Sequence, residues 1–514
     1  MSDYTNPLLA NTLWSLLKQR AAIAPDLCLL IEGDHRQQRA TVADCLRLAE
    51  QLAAGLLELG VKPGMVVSWQ LPTRLQTLIL KLALSRLAVI QNPVLHLFRE
   101  RELTDILSQT KPELLIVTGA DSSCDYPAQA RRVADKVGAK VLVLAEQWPK
   151  GDVANLPPEP SDGDAVRWYY CTSGTTSGPK AVRHTDKSLM AGGLALAVSL
   201  EASSNDVTSI AYPVAHIGGA MVLSSLLQIG MTAVLIERFD LAAAAEAFNR
   251  HGVTMTGGST AHYQAWLGLQ ATKPGEKVIK NLRMFTGGGA SKPPQLYFQA
   301  QEAMSVPIVH AYGMTESPLV ASNTPSSGEH AMAYTDGKPV AGMDVRIKKL
   351  DGQWALQGEE GEVLIKGDCL CKGYLNPEQT AEAFDEEGYY HTGDLARFDE
   401  AGNISLTGRL KDIIIRKGEN ISAKEIEEIL VDYPGVSAVA VIGLPDEERG
   451  ERVCAVLETS ESDISLKDIN QYLSAKGLMK QKLPEQLEQL SRLPRSEALG
   501  KISKKDLQKQ FLAG

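Results

Sequence analysis

Residues 171–180, CTSGTTSGPK, concentrate what an anion-binding loop needs. Gly174 and Gly178 let backbone N–H groups approach a ligand without a Cβ in the way. Thr172, Ser173, Thr175 and Thr176 add hydroxyl donors, and Lys180 supplies a point charge. The apolar run 166–170 ahead of them reads as a strand that gives the loop a fixed base. A Walker A loop uses the same physics with its glycines five apart and Ser or Thr after the lysine. Here the glycines are four apart, Pro179 precedes the lysine and Ala181 follows it, so that motif is absent. The competing reading is a polar surface loop.

Other stretches carry nucleotide-binding chemistry. Residues 306–317, VPIVHAYGMTES, run from a strand-like 308–310 into Ala311, Tyr312, Gly313, Met314, Thr315 and Glu316. Tyr312 can stack on a purine, Thr315 can donate to a phosphate, and Glu316 offers the hard oxygens that Mg²⁺ takes. Alone, this stretch is by default a turn between helix and strand. In YHTGDL, residues 390–395, Asp394 can accept from both hydroxyls of a ribose or cap a turn after Gly393. Arg409 can join it there. His216 closes a strand-like run, 209–216, just ahead of Gly218 and Gly219; a lone histidine is more often structural. Runs 253–256 and 282–286 lead into Gly257, Gly258 and Ser259 and into Gly287, Gly288 and Gly289. Strands ending in glycines at one sheet edge leave room beyond their carboxyl ends for a flat base or an acyl chain.

These residues need rigid elements to hold them. Helical spacing recurs over 8–22 and 41–59, the latter with Thr41 as N-cap and Gly60 as stop. Short β-rich runs at 27–31, 65–69, 114–117 and 141–144 alternate with helical segments such as 75–87 and 100–109, which implies parallel sheets with helices on both faces. Residues 145–164 read as a loop. Residues 217–236 are uncharged and long enough to span a bilayer, but glycines open and break the run, so helix, turn and buried strand are expected. From 344 to 407 the pattern is hairpin-like, a small barrel or distorted sheet. Beyond 411 it reads β-β-α-β-β-α, with helices over 424–430 and 466–475 and strands over 437–442 and 452–457.

A chain of 514 residues needs more than one core, and 44% hydrophobic with 22% charged residues is ordinary for globular units. The net charge of −10 argues against a nucleic-acid or membrane-surface binder. Seven cysteines without a C-x-x-C indicate neither a disulfide framework nor a zinc site and fit a reducing cytoplasm. The first residues, MSDYTNPLLANTLW, lack the basic and apolar regions of a signal peptide.

In order and spacing, the motifs from residue 166 onward resemble the adenylate-forming ligases, the superfamily of acyl-CoA synthetases, luciferases and peptide-synthetase adenylation domains. The resemblance implies that Thr172, Ser173, Gly174, Thr175, Thr176, Lys180, Gly288, Gly289, Ala311, Tyr312, Gly313, Thr315, Asp394, Arg409 and Lys501 bind ATP and AMP. It places His216, Gly218, Gly219, Gly258, Ser259 and Gly288 in the acyl pocket and Mg²⁺ on Glu316. Lys411 becomes the hinge of a mobile small domain, and Lys417, Gly418 and Glu419 the loop that faces coenzyme A. Lys501, on the loop 493–502, would bind the substrate carboxylate and the α-phosphate, with Glu316, Thr315 and His216 completing the catalytic set. Departures from the family pattern, Cys171, Ser177, Gly178, Ala181 and Ala423, remove no functional group. The expected fold is α/β: a large N-terminal domain, residues 1–410, of two α/β subdomains and a β-barrel-like subdomain, hinged to a small α+β C-terminal domain, residues 411–514.

The function this implies is ATP-dependent activation of a carboxylic acid to acyl-AMP and its transfer to coenzyme A, with ATP, Mg²⁺ and coenzyme A as cofactors, no nucleic-acid partner and a homodimer left open. The candidate pocket holds no cation for a second carboxylate and no Asp for an amino group, so a medium-chain, alicyclic or bulky apolar acid is expected. One alternative is a stand-alone adenylation enzyme that loads a carrier-protein thiol. Another is a silent nucleotide sensor, against which stands the retention of Lys180, Glu316, Asp394, Arg409 and Lys501.

Overall fold

Strands such as Leu114–Val117, LLIV, are buried at every position, which requires helices on both faces of the sheet they join. The computed structural model describes residues 7–34, 36–121, 123–144, 148–172, 179–290, 292–416, 419–446, 448–460, 464–495 and 502–512. Two sheets of this kind carry the N-terminal part of the chain. The first has nine strands, in the order Lys338–Pro339, Ala321–Ser322, Ile308–Tyr312, Met284–Gly288, Met255–Gly258, Val207–Ile210, Thr232–Leu235, Cys28–Glu32 and Arg39–Thr41. Its inner strands, from Ile308–Tyr312 to Cys28–Glu32, are parallel and its outer ones antiparallel. The second has six: Lys140–Val143, Leu114–Val117, Val66–Gln70, Ile90–Pro93, Val166–Cys171 and Ala181–Thr185. Only its last pair is antiparallel.

Local chemistry sets the helix ends. Thr41 accepts from the Asp44 N–H while the Asp44 side chain returns to the Thr41 N–H, so the helix Val42–Glu58 starts where expected. Gly60 comes just after its end, at φ +91°. The helix expected over 8–22 is Leu13–Ile23, because Thr12 and Ser15 cap each other there. The uncharged run 217–236 folds as the helix Ile217–Ile229, the left-handed Gly230 and the strand Thr232–Leu235. Among the described residues no helix is long and apolar enough to cross a membrane. One expectation is corrected: His216 does not end a strand. The strand Val207–Ile210 stops earlier, and His216 is the N-cap of the helix Ile217–Ile229.

The hairpin-like region takes the form of a four-stranded sheet in chain order, Met343–Lys348, Gly361–Gly367, Tyr390–Phe398 and Ile404–Arg409. The chain divides into two compact units, residues 1–345 with 365–390 and residues 346–364 with 391–514. Its residues 394–398 pair with 404–409, and Ser422 Oγ donates to the Thr407 carbonyl at 2.8 Å, which ties this hairpin to the strand Glu419–Ser422. Further on, Glu419–Ser422, Ile413–Arg416, Gly450–Thr459 and Val436–Asp446 make an antiparallel sheet against the helix Ala423–Leu430, which buries Ala423, Ile426 and Leu430 at helical spacing. Two elements have no counterpart in the sequence pattern: the strand Gln486–Leu490, parallel to Gly450–Thr459, and the helix Lys504–Leu512. A large N-terminal and a small α+β C-terminal domain result.

In the large unit the strand glycines serve close packing. A Cβ on Gly257 would lie 1.8 Å from the Thr286 carbonyl oxygen, on Gly287 2.0 Å from that of Gly258, and on Gly288 2.3 Å from that of Ala311. Gly268, in the helix Thr260–Ala271, has nothing within 4 Å of its missing Cβ. Gly287→Ala should therefore destabilise by roughly 2–3 kcal/mol, and Gly268→Ala should stabilise by up to about 1 kcal/mol. Thermal midpoints measure both, and equal midpoints for the two variants would refute this packing role.

Candidate active site

The segment expected to bind anions is flanked by two antiparallel strands in which Cys171 faces Ala181. The Thr172 N–H donates to the Lys180 carbonyl at 3.0 Å, and the Lys180 N–H donates to Thr172 Oγ1 at 3.3 Å. That hydroxyl keeps its own proton for another acceptor. Ser173, Gly174, Thr175 and Thr176 lie outside the described residues. The strand Val166–Cys171 is anchored by Trp168, whose Nε1 donates to the buried Asp186 at 2.7 Å and whose ring lies 5.2 Å from Lys81 Nζ.

The segment Tyr312 to Glu316 leaves the strand Ile308–Tyr312 through a turn in which the Met314 N–H donates to the Ser317 carbonyl at 2.8 Å. Gly313 is needed there, since a Cβ would meet the Pro318 carbonyl oxygen at 2.3 Å. His184 Nε2 donates to the Thr315 carbonyl at 2.7 Å, which selects the Nε2–H tautomer, and burial lowers this imidazole to a pKa of about 4. Glu316 is buried, and its Oε1 accepts from the Tyr374 hydroxyl at 2.7 Å. The Tyr390 hydroxyl stands 2.9 Å from that of Tyr374, and burial together with the Glu316 charge pushes both phenols up, which keeps them donors.

One cleft joins these parts. It is walled by Pro93, Leu95, Phe98 and Ile106 and meets Tyr170, Cys171, His216 and Thr315. His216 Nδ1 accepts from the Gly218 N–H at 3.3 Å. The loop that carries it is held by Thr73, whose Oγ1 donates to the Tyr212 carbonyl at 2.9 Å and accepts from the Val214 N–H at 3.2 Å. Of the expected pocket glycines, a Cβ on Gly218 would make only ordinary contact, on Gly219 it would meet the Val214 carbonyl oxygen at 2.4 Å, and on Gly258 it would meet His262 Nδ1 at 2.9 Å. Ser259 caps the next helix with His262. Gly289, at φ +78°, has nothing near its missing Cβ. The apolar wall, His184 and Tyr374 are additions that the sequence does not signal; no local motif marks them.

In the second unit Asp394 faces Arg409 across the hairpin, Arg409 Nε 2.8 Å from Asp394 Oδ1, with the carboxylate largely buried and the guanidinium half exposed. Thr392 Oγ1 accepts from the Asp394 N–H at 3.0 Å. Lys411 is exposed in the short turn Leu410–Asp412. Lys417 and Gly418 lie outside the described residues, between the paired Arg416 and Glu419. Lys501 also lies outside them; the base of its loop is fixed by pairing of Arg495 with Ile502 and by the Ser503 N–H donating to the Pro494 carbonyl at 2.8 Å.

Comparison with known proteins covers nearly the whole chain. The family model of the AMP-binding enzymes matches residues 17–375, and that of the AMP-binding enzyme C-terminal domain matches residues 425–501. Salicyl-AMP ligase / salicyl-S-ArCP synthetase of Mycobacterium tuberculosis is 31% identical, covering 98% of this chain and 91% of its own length. Medium-chain fatty-acid–CoA ligase of Escherichia coli is 30% identical over 96% of this chain and 89% of its own. Among solved structures, o-succinylbenzoate CoA synthetase of Bacillus subtilis, in complex with an acyl-adenylate intermediate, superimposes with a TM-score of 0.82 at 27% identity over 98% of each chain.

His184 yields a pH dependence. Its folded pKa, about 4, lies below the ordinary value of 6.5, so the unfolded chain takes up a proton first as the pH falls below 6.5. The folded chain loses roughly 3 kcal/mol from this group between pH 6.5 and 4. His184→Asn lacks that loss, so its stability deficit at pH 7 should narrow at pH 4.5 in denaturant titrations; a deficit independent of pH would show that His184 is not held neutral.

Proposed function

The chain belongs to the AMP-binding enzyme family and is an acid–thiol ligase, and on that premise we propose that it joins a medium-chain, alicyclic or other bulky apolar monocarboxylic acid to coenzyme A through an acyl-adenylate. The observation that carries this reading is the cleft in which Cys171, at the base of the anion-binding loop, His216 and Thr315 meet an apolar wall. A carboxylate at Thr315 would stand beside the phosphates held by the loop, with its hydrocarbon against Leu95, Phe98 and Ile106.

Two anions must meet in the first half-reaction. The acid's oxygen attacks the α-phosphorus of ATP, the bond to the β-phosphate oxygen breaks, and pyrophosphate leaves. Lys501 at the carboxylate and α-phosphate, Lys180 and the loop amides at the pyrophosphate, and Asp394 with Arg409 at the ribose are the roles assigned to this chain's residues. Among the described residues no group of three or more His, Cys, Asp or Glu could hold a metal. Mg²⁺ is held by one or two carboxylates plus substrate phosphates. Glu316 fits, because the Tyr374 hydroxyl uses one of the four acceptor sites of its carboxylate. Bound there, Mg²⁺ would neutralise charge on the phosphates. In the second half-reaction a thiol attacks the acyl carbonyl and AMP leaves; exchange of the Lys501 loop for the loop at Gly418 by rotation about Lys411 would admit it.

A second reading, transfer to a carrier-protein thiol, is favoured by the name of the salicyl-AMP relative, which includes an aryl carrier protein. A panel of acids assayed for AMP release with free coenzyme A decides between them. Each buried methylene contributes ~0.8 kcal/mol, so activity should rise about four-fold per carbon until the pocket is full. AMP release with a carrier protein alone would select the second reading, and a flat profile from acetate to decanoate would refute the apolar pocket.

The half-reactions separate in two variants. Lys501→Ala should slow pyrophosphate exchange by about two to three powers of ten yet convert preformed acyl-adenylate to thioester. Gly418→Leu should exchange pyrophosphate and fail to make thioester. Loss of the same half-reaction in both would rule out rotation about Lys411.

A further inference from the structure

Residues 371–375 form a strap between two parts of the proposed site. The Cys371 N–H donates to the Glu316 carbonyl at 2.9 Å and the Lys372 N–H to that of Arg183 at 2.8 Å. The Arg183 N–H donates to the Gly373 carbonyl at 2.9 Å, and the Leu375 N–H donates to that of Ala181 at 2.8 Å. The strap is thus laced both to Glu316 and to the strand that begins just after Lys180. Tyr374 lies at its centre, paired with Val182, its N–H donating to Thr380 Oγ1 at 2.9 Å. Gly373 precedes it at φ +77°, where a Cβ would meet Thr380 Cγ2 at 2.5 Å.

The Tyr374 side chain touches both ends of the site. Its hydroxyl donates to Glu316 Oε1 at 2.7 Å, which commits its single proton. The Tyr390 hydroxyl stands 2.9 Å from that of Tyr374, so two phenols and the carboxylate form one cluster. Lys180 Nζ lies over the Tyr374 ring, 4.9 Å from its centroid. Among the described residues Lys180 makes no ion pair with a carboxylate. An ammonium and a buried carboxylate so near one ring would neutralise each other if they met, and neither would then serve a ligand.

We propose that Tyr374 is a positioning residue that holds Lys180 and Glu316 apart and aims each at the nucleotide, its ring seating the ammonium and its hydroxyl orienting the carboxylate. This rests on the reading of Lys180 as a phosphate cation and Glu316 as a metal ligand. The two halves of the role belong to different atoms and separate experimentally. Tyr374→Phe keeps the ring and loses the hydroxyl; Tyr374→Leu loses both.

Calorimetric titration of the full chain with ATP in EDTA, and with ATP at increasing free Mg²⁺, tests this without requiring turnover. Tyr374→Phe should bind metal-free ATP within about two-fold of wild type, while the free Mg²⁺ needed for half-maximal enhancement rises about ten-fold, the usual effect of losing a hydrogen-bond partner of a metal ligand. Tyr374→Leu should show the same metal shift and in addition bind metal-free ATP about five-fold more weakly. Thermal midpoints accompany both, and the Phe variant keeps the test decisive if the Leu variant unfolds. An unshifted Mg²⁺ dependence in Tyr374→Phe, or equal losses of metal-free binding in the two variants, overturns the proposal. A wild-type chain that binds Mg²⁺-ATP but exchanges no pyrophosphate with any acid overturns the proposed reaction and leaves this comparison intact.

Discussion

Backbone meeting backbone without intervening side chains is the constraint around which the large unit is arranged. At Gly257, Gly287 and Gly288 three neighbouring parallel strands approach so closely that a single methyl group would strike a carbonyl oxygen. The register that results puts Gly288 beside Ala311, one residue before Tyr312, and so fixes where the strand Ile308–Tyr312 delivers Thr315 and Glu316. Packing of this kind tolerates few substitutions, because interiors at native density have no slack with which to absorb a displaced strand. Glycines at strand ends read in a sequence as room for a ligand. Three of these are occupied by the protein's own backbone, and of the pocket glycines Gly218 would accept a Cβ at ordinary contact distance.

The parts of the candidate site that stand out in the sequence are contiguous strings. A loop of glycines, hydroxyls and a lysine, or a strand leading into Tyr312 to Glu316, carries its chemistry within a dozen residues. The fold class was legible for a similar reason: short apolar runs alternating with helical ones leave few layer arrangements. What could not be seen is contact across the chain. Tyr374 reaches Glu316 over 58 residues, and His184 reaches Thr315 over 131. Nothing in the composition around either residue announces a partner. The wall formed by Leu95, Phe98 and Ile106 was hidden differently, since apolar residues at a strand end and in a helix read as scaffold whether they face a core or a cleft.

The second unit shows that limit from the other side. Asp394 and Arg409 stand out by their chemistry, and the hairpin places them opposite one another in register. A hairpin and the segment beyond it can share hydrogen bonds that a sequence pattern does not display. Ser422 bonding back to Thr407 is one such tie. The strand Gln486–Leu490 is hidden because its sequence, QLEQL, alternates polar and apolar residues as a surface helix or a loop would.

Cys171 carries a liability that its surroundings remove. A mixed anhydride is an acylating agent, and a thiol lining the cleft proposed to hold one would be a competitor for the acyl group. Reaction requires the thiolate, and burial pushes this thiol up to about 12. Near neutral pH the unreactive thiol form therefore predominates. Asn92 Nδ2, 3.7 Å from the sulfur, is a neutral donor and supplies no positive charge that would reverse this. The cleft thus keeps a sulfur among its walls as a small hydrophobe.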